Sequence, residues 1–245
     1  MKDNFSKQAD VYAKYRPNYP SALFEFILSN VANRTTAWDC ATGNGQTAVV
    51  LAKHFEKVYA TDISQKQLDN AIASPNIFYS LQPAEQTNFP DNSFDLITVS
   101  QALHWFQFEQ FYTEVKRVAK PGSWIAVWMY NLLQISPTID RAVLKLYKEI
   151  LGTHWDKERK FVDENYSTIP FPFSEMECPA FQLHFEWTLD ELEGYLNTWS
   201  ALQKFIGING FNPVRDLIND IRPDWTAERM EIIFPVTMRM GQIEK

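Results

Sequence analysis

The chemistry-bearing residues are densest between Asp39 and Gly45, in Trp38-Asp39-Cys40-Ala41-Thr42-Gly43-Asn44-Gly45-Gln46. Small residues at Ala41, Gly43 and Gly45 let a backbone turn tightly and approach a ligand closely. A helix starting behind such a turn offers N–H groups that its own carbonyls do not accept. Asp62 follows Gly43 by nineteen residues, at the end of the strand-like VYATD. A carboxylate there can accept both hydroxyls of a ribose. The spacing admits two cofactor classes. A dinucleotide site asks for G-x-G-x-x-G, whereas this loop reads A-x-G-x-G with Gln46 where the third glycine would stand. Asp39 would also aim an anion at a pyrophosphate, but it suits a cofactor carrying sulfonium and ammonium charges. The plain alternative is an Asp cap and a Gly turn in an ordinary βα loop.

A second group of residues could handle an acceptor. Arg16 sits in Tyr12-x-x-Tyr15-Arg16-Pro17-x-Tyr19. Its guanidinium could take a carboxylate through two parallel bonds, under a lid made by the tyrosines. His104 and Trp105 follow a strand-like run, and His104 could serve as a base or as a donor. Trp105, Trp128, Tyr130, Trp199 and Tyr19 could wall an acceptor site, though core packing explains each about as well. Arg215, Arg222 and Arg239 are further anion binders with no local signal to set them apart. The four histidines and two cysteines (Cys40 and Cys178) show no metal-ligand spacing.

The elements that must hold these groups alternate. TTAWDCA, VYATD, NIFYSL, FDLITVS and SWIAVWMY read as strands, with TAVVLAKHF, SQKQLDNAIA and FEQFYTEVKRVAK as helices between them. Repeated strand–helix–strand predicts right-handed crossovers and a parallel sheet. Asn44 and Ser64 are expected to cap helices near 45–54 and 65–73, and Pro121-Gly122 to end the helix before the fifth strand. Beyond Tyr130 the spacing predicts helices over 137–151, 188–203 and 212–221. FQLHFEW and MEIIFPVTMRMGQ read as strands, the latter with Pro235 at an edge or bulge, and 165–180 as a loop. The expected architecture is one α/β domain over 1–245, a Rossmann-like, seven-stranded, mostly parallel sheet with helices on both faces. Its core runs over about 34–130 plus strands near 180–187 and 229–240, and a helical cap comes from 1–33, 131–175 and 188–225.

Composition narrows the partners. With 45% hydrophobic and 22% charged residues the chain is an ordinary globular one. A net charge of −7 argues against nucleic-acid binding. No apolar run is long enough to span a bilayer, and the polar start MKDNFSKQADVYAKYR has no apolar signal core. A cytoplasmic monomer or homodimer acting on a small molecule is expected.

Taken in order, WDCATGNG, VYATDIS, PAEQTNFPDNSFDLITVSQALHWF and EVKRVAKPGSWIAVW resemble the motifs of class I S-adenosylmethionine-dependent methyltransferases. Ala41 stands where that family usually has its first glycine. Further stretches, FSKQADVYAKYRPNYP, ALHWFQFEQF, IAVWMY and YLNTWSA, resemble the trans-aconitate methyltransferase group, whose members methylate carboxylates of small organic acids. The resemblance implies S-adenosyl-L-methionine as cofactor. Asp39, Ala41, Gly43 and Gly45 would surround its methionine part, and Asp62 would hold its ribose. Ile63 would pack on the adenine, with Glu85 beside the adenine amino group. Gln101 would sit at the carboxyl end of the fourth strand, and Tyr15 would close over the cofactor. His104 and Arg16 would serve the acceptor. The open alternatives are a phenol, amine or macromolecular acceptor, a nicotinamide-dependent oxidoreductase, and a cofactor-binding protein without transfer activity.

Overall fold

The structure is a computed structural model, and the residues described are 19–245. Arg16 and Tyr15 lie outside them. After helix α1 (Ser21–Asn30), the chain alternates β1 (Thr36–Cys40), α2 (Gln46–Leu51), β2 (Lys57–Asp62), α3 (Gln65–Asp69) and β3 (Ile77–Leu81). β4 (Phe94–Ser100), α4 (Phe108–Val118) and β5 (Ala119–Tyr130) complete the parallel part. Helices α5 (Pro137–Lys145) and α6 (Arg159–Asp163) follow, then β6 (Ser174–Met176) and β7 (Phe181–Trp187). The chain ends with α7 (Leu189–Leu196), α8 (Ser200–Asn209), α9 (Val214–Ile221) and β8 (Met230–Gln242).

The strand order is β3-β2-β1-β4-β5-β8-β6, with β7 also paired to β8. β1 to β5 are parallel, and β8 runs antiparallel to β5, β6 and β7. This is the expected Rossmann-like sheet with one strand more than the seven predicted. The extra strand, β6, lies in the stretch read as a loop, and its three residues are held by β8 rather than by any pattern of their own. Pro235 falls one residue past the last β5–β8 pair, Tyr130 with Val236, so its missing N–H is not needed by β5.

Helices cover both faces of the sheet. On one, Leu23 and Ile27 of α1 and Ala48 and Leu51 of α2 pack with Ala37, Val58, Leu96 and Trp128, and the same cluster runs on into α5 and α7–α9. On the other, Phe111, Val115 and Val118 of α4 meet Trp38, Phe94, Ile97 and Val127. Trp38 is fully buried, and its indole N–H donates to Thr61 Oγ1 at 2.9 Å, so its burial strands no polar atom.

Several boundaries differ from expectation for local reasons. Ser64 caps α3 as predicted, accepting from Gln67 N. The residue before α2 is Gly45, not Asn44, because the turn there requires a left-handed backbone (φ 86°). Pro121-Gly122 lies inside β5, which begins immediately after α4. The 188–203 helix is two helices; the first carries a full capping box between Thr188 and Glu191. The 137–151 helix widens into a π turn over Leu146–Ile150, a local form common where a helix serves a site.

Candidate active site

The turn after β1 stacks three left-handed residues in alternation, Ala41 (φ 54°), Gly43 (φ 59°) and Gly45 (φ 86°). Glycine is needed twice over at 45: a Cβ there would lie 2.1 Å from the Tyr79 hydroxyl, which donates to Ile72 O at 2.8 Å. Asp62, at the end of β2, ties the turn down by accepting from Gly43 N and Ser64 N, each at 2.9 Å. Asp39 pairs in register with Thr98 on β4 and accepts that hydroxyl's proton at 2.9 Å. Thr42 Oγ1 donates to its other oxygen. Burial pushes the Asp39 carboxyl up to about 6, against both hydroxyls, which pull it down. Ile63 is half-buried beside Asp62. Glu85 accepts from Gln107 N at 3.1 Å, holding its loop to the start of α4.

A cavity of about 80 Å³ opens at the carboxyl ends of β4 and β5, where open α/β sheets bind ligands. Gln101, His104, Trp105, Tyr130 and Trp199, all singled out from sequence, line it. Gln101 sits in a left-handed conformation (φ 55°), its amide donating to Trp128 O and its side chain to Tyr130 O at 3.3 Å. His104 is buried, its Nδ1 2.8 Å from the Tyr166 hydroxyl. Trp128 and Tyr19 do not line this cavity. Trp128 is fully buried in the core, its ring met edge-on by Tyr19 and Phe24. Arg215 and Arg222 are exposed. Arg239 is bound to Glu175 through two nitrogens at 2.7 Å and to the carbonyls of Tyr166 and Ile169, so it is structural.

The cap supplies residues that the sequence did not announce. Arg159 of α6 lines the cavity with Trp155, Asp156 and Tyr195. Its guanidinium lies over the rings of Trp155 (5.0 Å) and Tyr147 (5.3 Å). Its Nε donates to the Tyr147 hydroxyl at 2.6 Å, which in turn donates to Asp163 at 2.6 Å. Burial would lower the Arg159 pKa, but Tyr147 and Asp163 outweigh it and hold the guanidinium charged. Asp156 is neutralised by Lys204 at 2.6 Å. The available signal was the density of Tyr and Trp at 147, 155, 195 and 199 around one Arg.

Among known proteins, residues 38–127 match the family described as a methyltransferase domain. A methyltransferase of Dictyostelium discoideum is 32% identical over 99% of this chain and 95% of its own length. The chain belongs to the S-adenosylmethionine-dependent methyltransferases. A solved structure described as a type II methyltransferase of Anaeromyxobacter dehalogenans superposes on this methyltransferase with a TM-score of 0.87 and 36% identity, covering 94% of the chain and 99% of its own. A protein of Saccharomyces cerevisiae, described as S-adenosylmethionine-dependent, is 23% identical over 90% of the chain and 89% of its own length.

The methyltransferase uses S-adenosylmethionine, and the residues present fit it. The loop of alternating left-handed residues exposes backbone at close range, and no side chain beyond Cβ intervenes at 41, 43 or 45. Two carboxylates, Asp39 and Asp62, stand at the ends of adjacent strands. When bound, the cofactor supplies the methyl group as a sulfonium substituent, already activated for displacement. Among the described residues no three His, Cys, Asp or Glu side chains gather as a metal site, and no helix is long and apolar enough to cross a membrane.

Proposed function

We propose that this methyltransferase acts on a small molecule and that the acceptor is a carboxylate, methylated on oxygen by in-line displacement. The observation that carries this reading is Arg159, a charged guanidinium presented to a partly open cavity with aromatic walls. Its Nε is committed to Tyr147, whereas its two terminal nitrogens have no hydrogen-bond partner among the described residues. Those two nitrogens can grip one carboxylate through parallel bonds.

The roles follow from position. Asp39 would face the cationic methionine part, and Asp62 would hold the ribose while keeping Gly43 in place. Ile63 and Glu85 would border the adenine. Gln101, Trp105, Tyr130 and Trp199 would shape the junction between cofactor and acceptor and exclude water. A carboxylate is ionised at neutral pH, with an ordinary pKa near ~4, so alignment is what the protein must supply. Arg16 is a second guanidinium for the same task, and Arg16→Ala measured beside Arg159→Gln apportions the carboxylate between them. The test is transfer of labelled methyl from S-adenosylmethionine to a panel of small mono-, di- and tricarboxylic acids. Alkali-labile label released as methanol is expected. Label that survives alkali, on a phenol or amine, overturns the reading.

A further inference from the structure

The helix that begins at Pro137 turns Ile139, Val143 and Leu146 inward, a spacing of four and three residues. An α-helix would next turn Ile150 inward. Instead Leu151 N donates to Leu146 O at 2.9 Å, five residues back, and closes the π turn. The extra residue shifts the phase by one, so that Leu151 is fully buried and Ile150 is 36% exposed. Tyr147 lies buried in this widened turn, and its groups serve residues that line the cavity. Its carbonyl accepts from Trp155 Nε1 at 3.0 Å. Its ring meets Trp155 at 4.8 Å and Trp199 edge-on at 5.7 Å. Trp155, Arg159 and Trp199 line the cavity, and Tyr147 stands behind them.

The Tyr147 hydroxyl also separates two charges. Arg159 and Asp163 stand four residues apart on α6, the spacing at which opposite charges on a helix pair directly. Here Arg159 Nε and Asp163 Oδ1 are 3.7 Å apart, too far for a hydrogen bond. The hydroxyl bridges them instead, accepting from Nε and donating to Oδ1, each at 2.6 Å. Burial keeps that phenol protonated, its pKa above the ordinary range. A direct pair with Asp163 would take the guanidinium side-on, through two parallel bonds from Nε and one terminal nitrogen. That nitrogen would then be lost to the cavity.

We propose that Tyr147 is a positioning residue, a spacer that keeps Arg159 from closing on Asp163 and so leaves both terminal nitrogens to the acceptor. The consequence for the acceptor rests on the carboxylate reading above. Asp163 is half-exposed, so water satisfies what one phenol bond does not. With the spacer in place an incoming carboxylate displaces no protein anion from the guanidinium. Without it, the carboxylate competes with Asp163 for the same nitrogen. The carbonyl and ring of the same tyrosine set Trp155 and Trp199, so the cation and two of the cavity walls share one support.

Tyr147→Phe keeps the ring and the carbonyl and removes only the spacer. The deciding measurement is proton–nitrogen NMR of the arginine Nε–H groups in the ¹⁵N-labelled full chain, with S-adenosylhomocysteine bound. Arg159→Gln identifies the Arg159 signal by its loss. In Tyr147→Phe that signal should move downfield, as Nε–H passes from a neutral oxygen to a carboxylate, and adding Asp163→Asn should reverse the move. A signal that stays in place in Tyr147→Phe, or moves without responding to Asp163→Asn, overturns the proposal whatever the acceptor proves to be. Failure of the whole carboxylate panel counts against the carboxylate reading alone. On an acceptor from that panel, Tyr147→Phe should raise KM about three- to fivefold, the reach of a half-exposed ion pair competing for one cation, with kcat and cofactor affinity held within about twofold. Asp163→Asn added to it should return KM to within about twofold of the wild type, which repair of damaged packing would not do. An unchanged KM in Tyr147→Phe, or a raised one that Asp163→Asn fails to restore, overturns the spacer role.

Discussion

Replacing Asp39 by Asn should stabilise the protein and weaken its hold on the cofactor in the same stroke. The wild-type carboxyl is raised from 3.8 to about 6 because it is buried, and the Thr42 and Thr98 hydroxyls, with the Ala48 backbone, offset only part of the loss of water. A shift of about two units means that the ionised carboxylate costs the free protein roughly 3 kcal/mol at neutral pH. The sign follows from the direction of the shift. The folded state binds the proton more tightly than the unfolded one, so the stabilising contribution is complete below pH 3.8 and is lost as pH rises through about 6. Asn removes that penalty and keeps the shape, at the expense of part of two hydrogen bonds worth about 1 kcal/mol each. A net gain of about 1–2 kcal/mol at pH 8 should appear as a rise in Tm of about 2–8 °C. The gain should shrink towards pH 4.5, where Asp39 is already protonated. In the opposite direction, loss of one charge-assisted contact should reduce S-adenosylmethionine affinity by about 10–100-fold at pH 7. Calorimetric titration and thermal unfolding of the two proteins over pH 4.5–8 read both effects. Lower stability of Asp39→Asn at pH 8, or unchanged cofactor affinity, would refute the reasoning.

Three further outcomes follow from the geometry. Arg159→Gln should raise the KM for a carboxylate acceptor about tenfold or more and leave cofactor affinity within twofold, because Arg159 belongs to the cap side of the cavity; equal damage to both, measured by initial rates and titration, would place it with the cofactor. Gly45→Ala should lower cofactor affinity at least tenfold while the circular dichroism of the sheet is kept, since the new Cβ meets the Tyr79 hydroxyl at 2.1 Å in a left-handed residue. Asp62→Ala should also weaken the cofactor, and should speed amide hydrogen exchange at Gly43 and Ser64, whose N–H groups it accepts; unchanged exchange would count against its tethering of the loop.

How much of this was legible in the chain differs by level. β7 and β8 begin and end where their alternation does, at 181–187 and 230–242, because burial on one sheet face imposes a period of two, whereas β4 at 94–100 is buried on both faces and reads as a short apolar run. The turn from 39 to 45 was legible because glycine spacing is a backbone requirement written directly into the sequence. β6 was not, since its pairing comes from β8, more than fifty residues away. Arg159 was missed because Lys157-Glu158-Arg159-Lys160 reads as a solvated charge run, and its partial burial arises from Tyr147 and Trp155 folding over it. Tyr166 was missed for a similar reason, as no local signal marks a non-glycine residue at positive φ.

The two halves of the proposed site are therefore held by different physics, and they should respond differently to substitution. The cofactor half is fixed by main-chain geometry at the ends of β1 and β2, where a changed residue alters φ or opens a steric conflict. The acceptor half is built from side chains of α6, the segment before it and the α7–α8 junction, meeting the end of the sheet, with Tyr147 of the π turn supporting Arg159 from behind. Each of these cap residues is supported by neighbours of its own: Trp199 by Tyr147, Trp155 and Tyr195, and Arg159 by Tyr147 and Asp163. A substitution among them perturbs one wall of the cavity and leaves the β1–β4 register that carries Asp39 untouched. Acceptor choice can thus change through the cap at little expense to cofactor binding, whereas the loop from 39 to 45 tolerates almost no change of backbone.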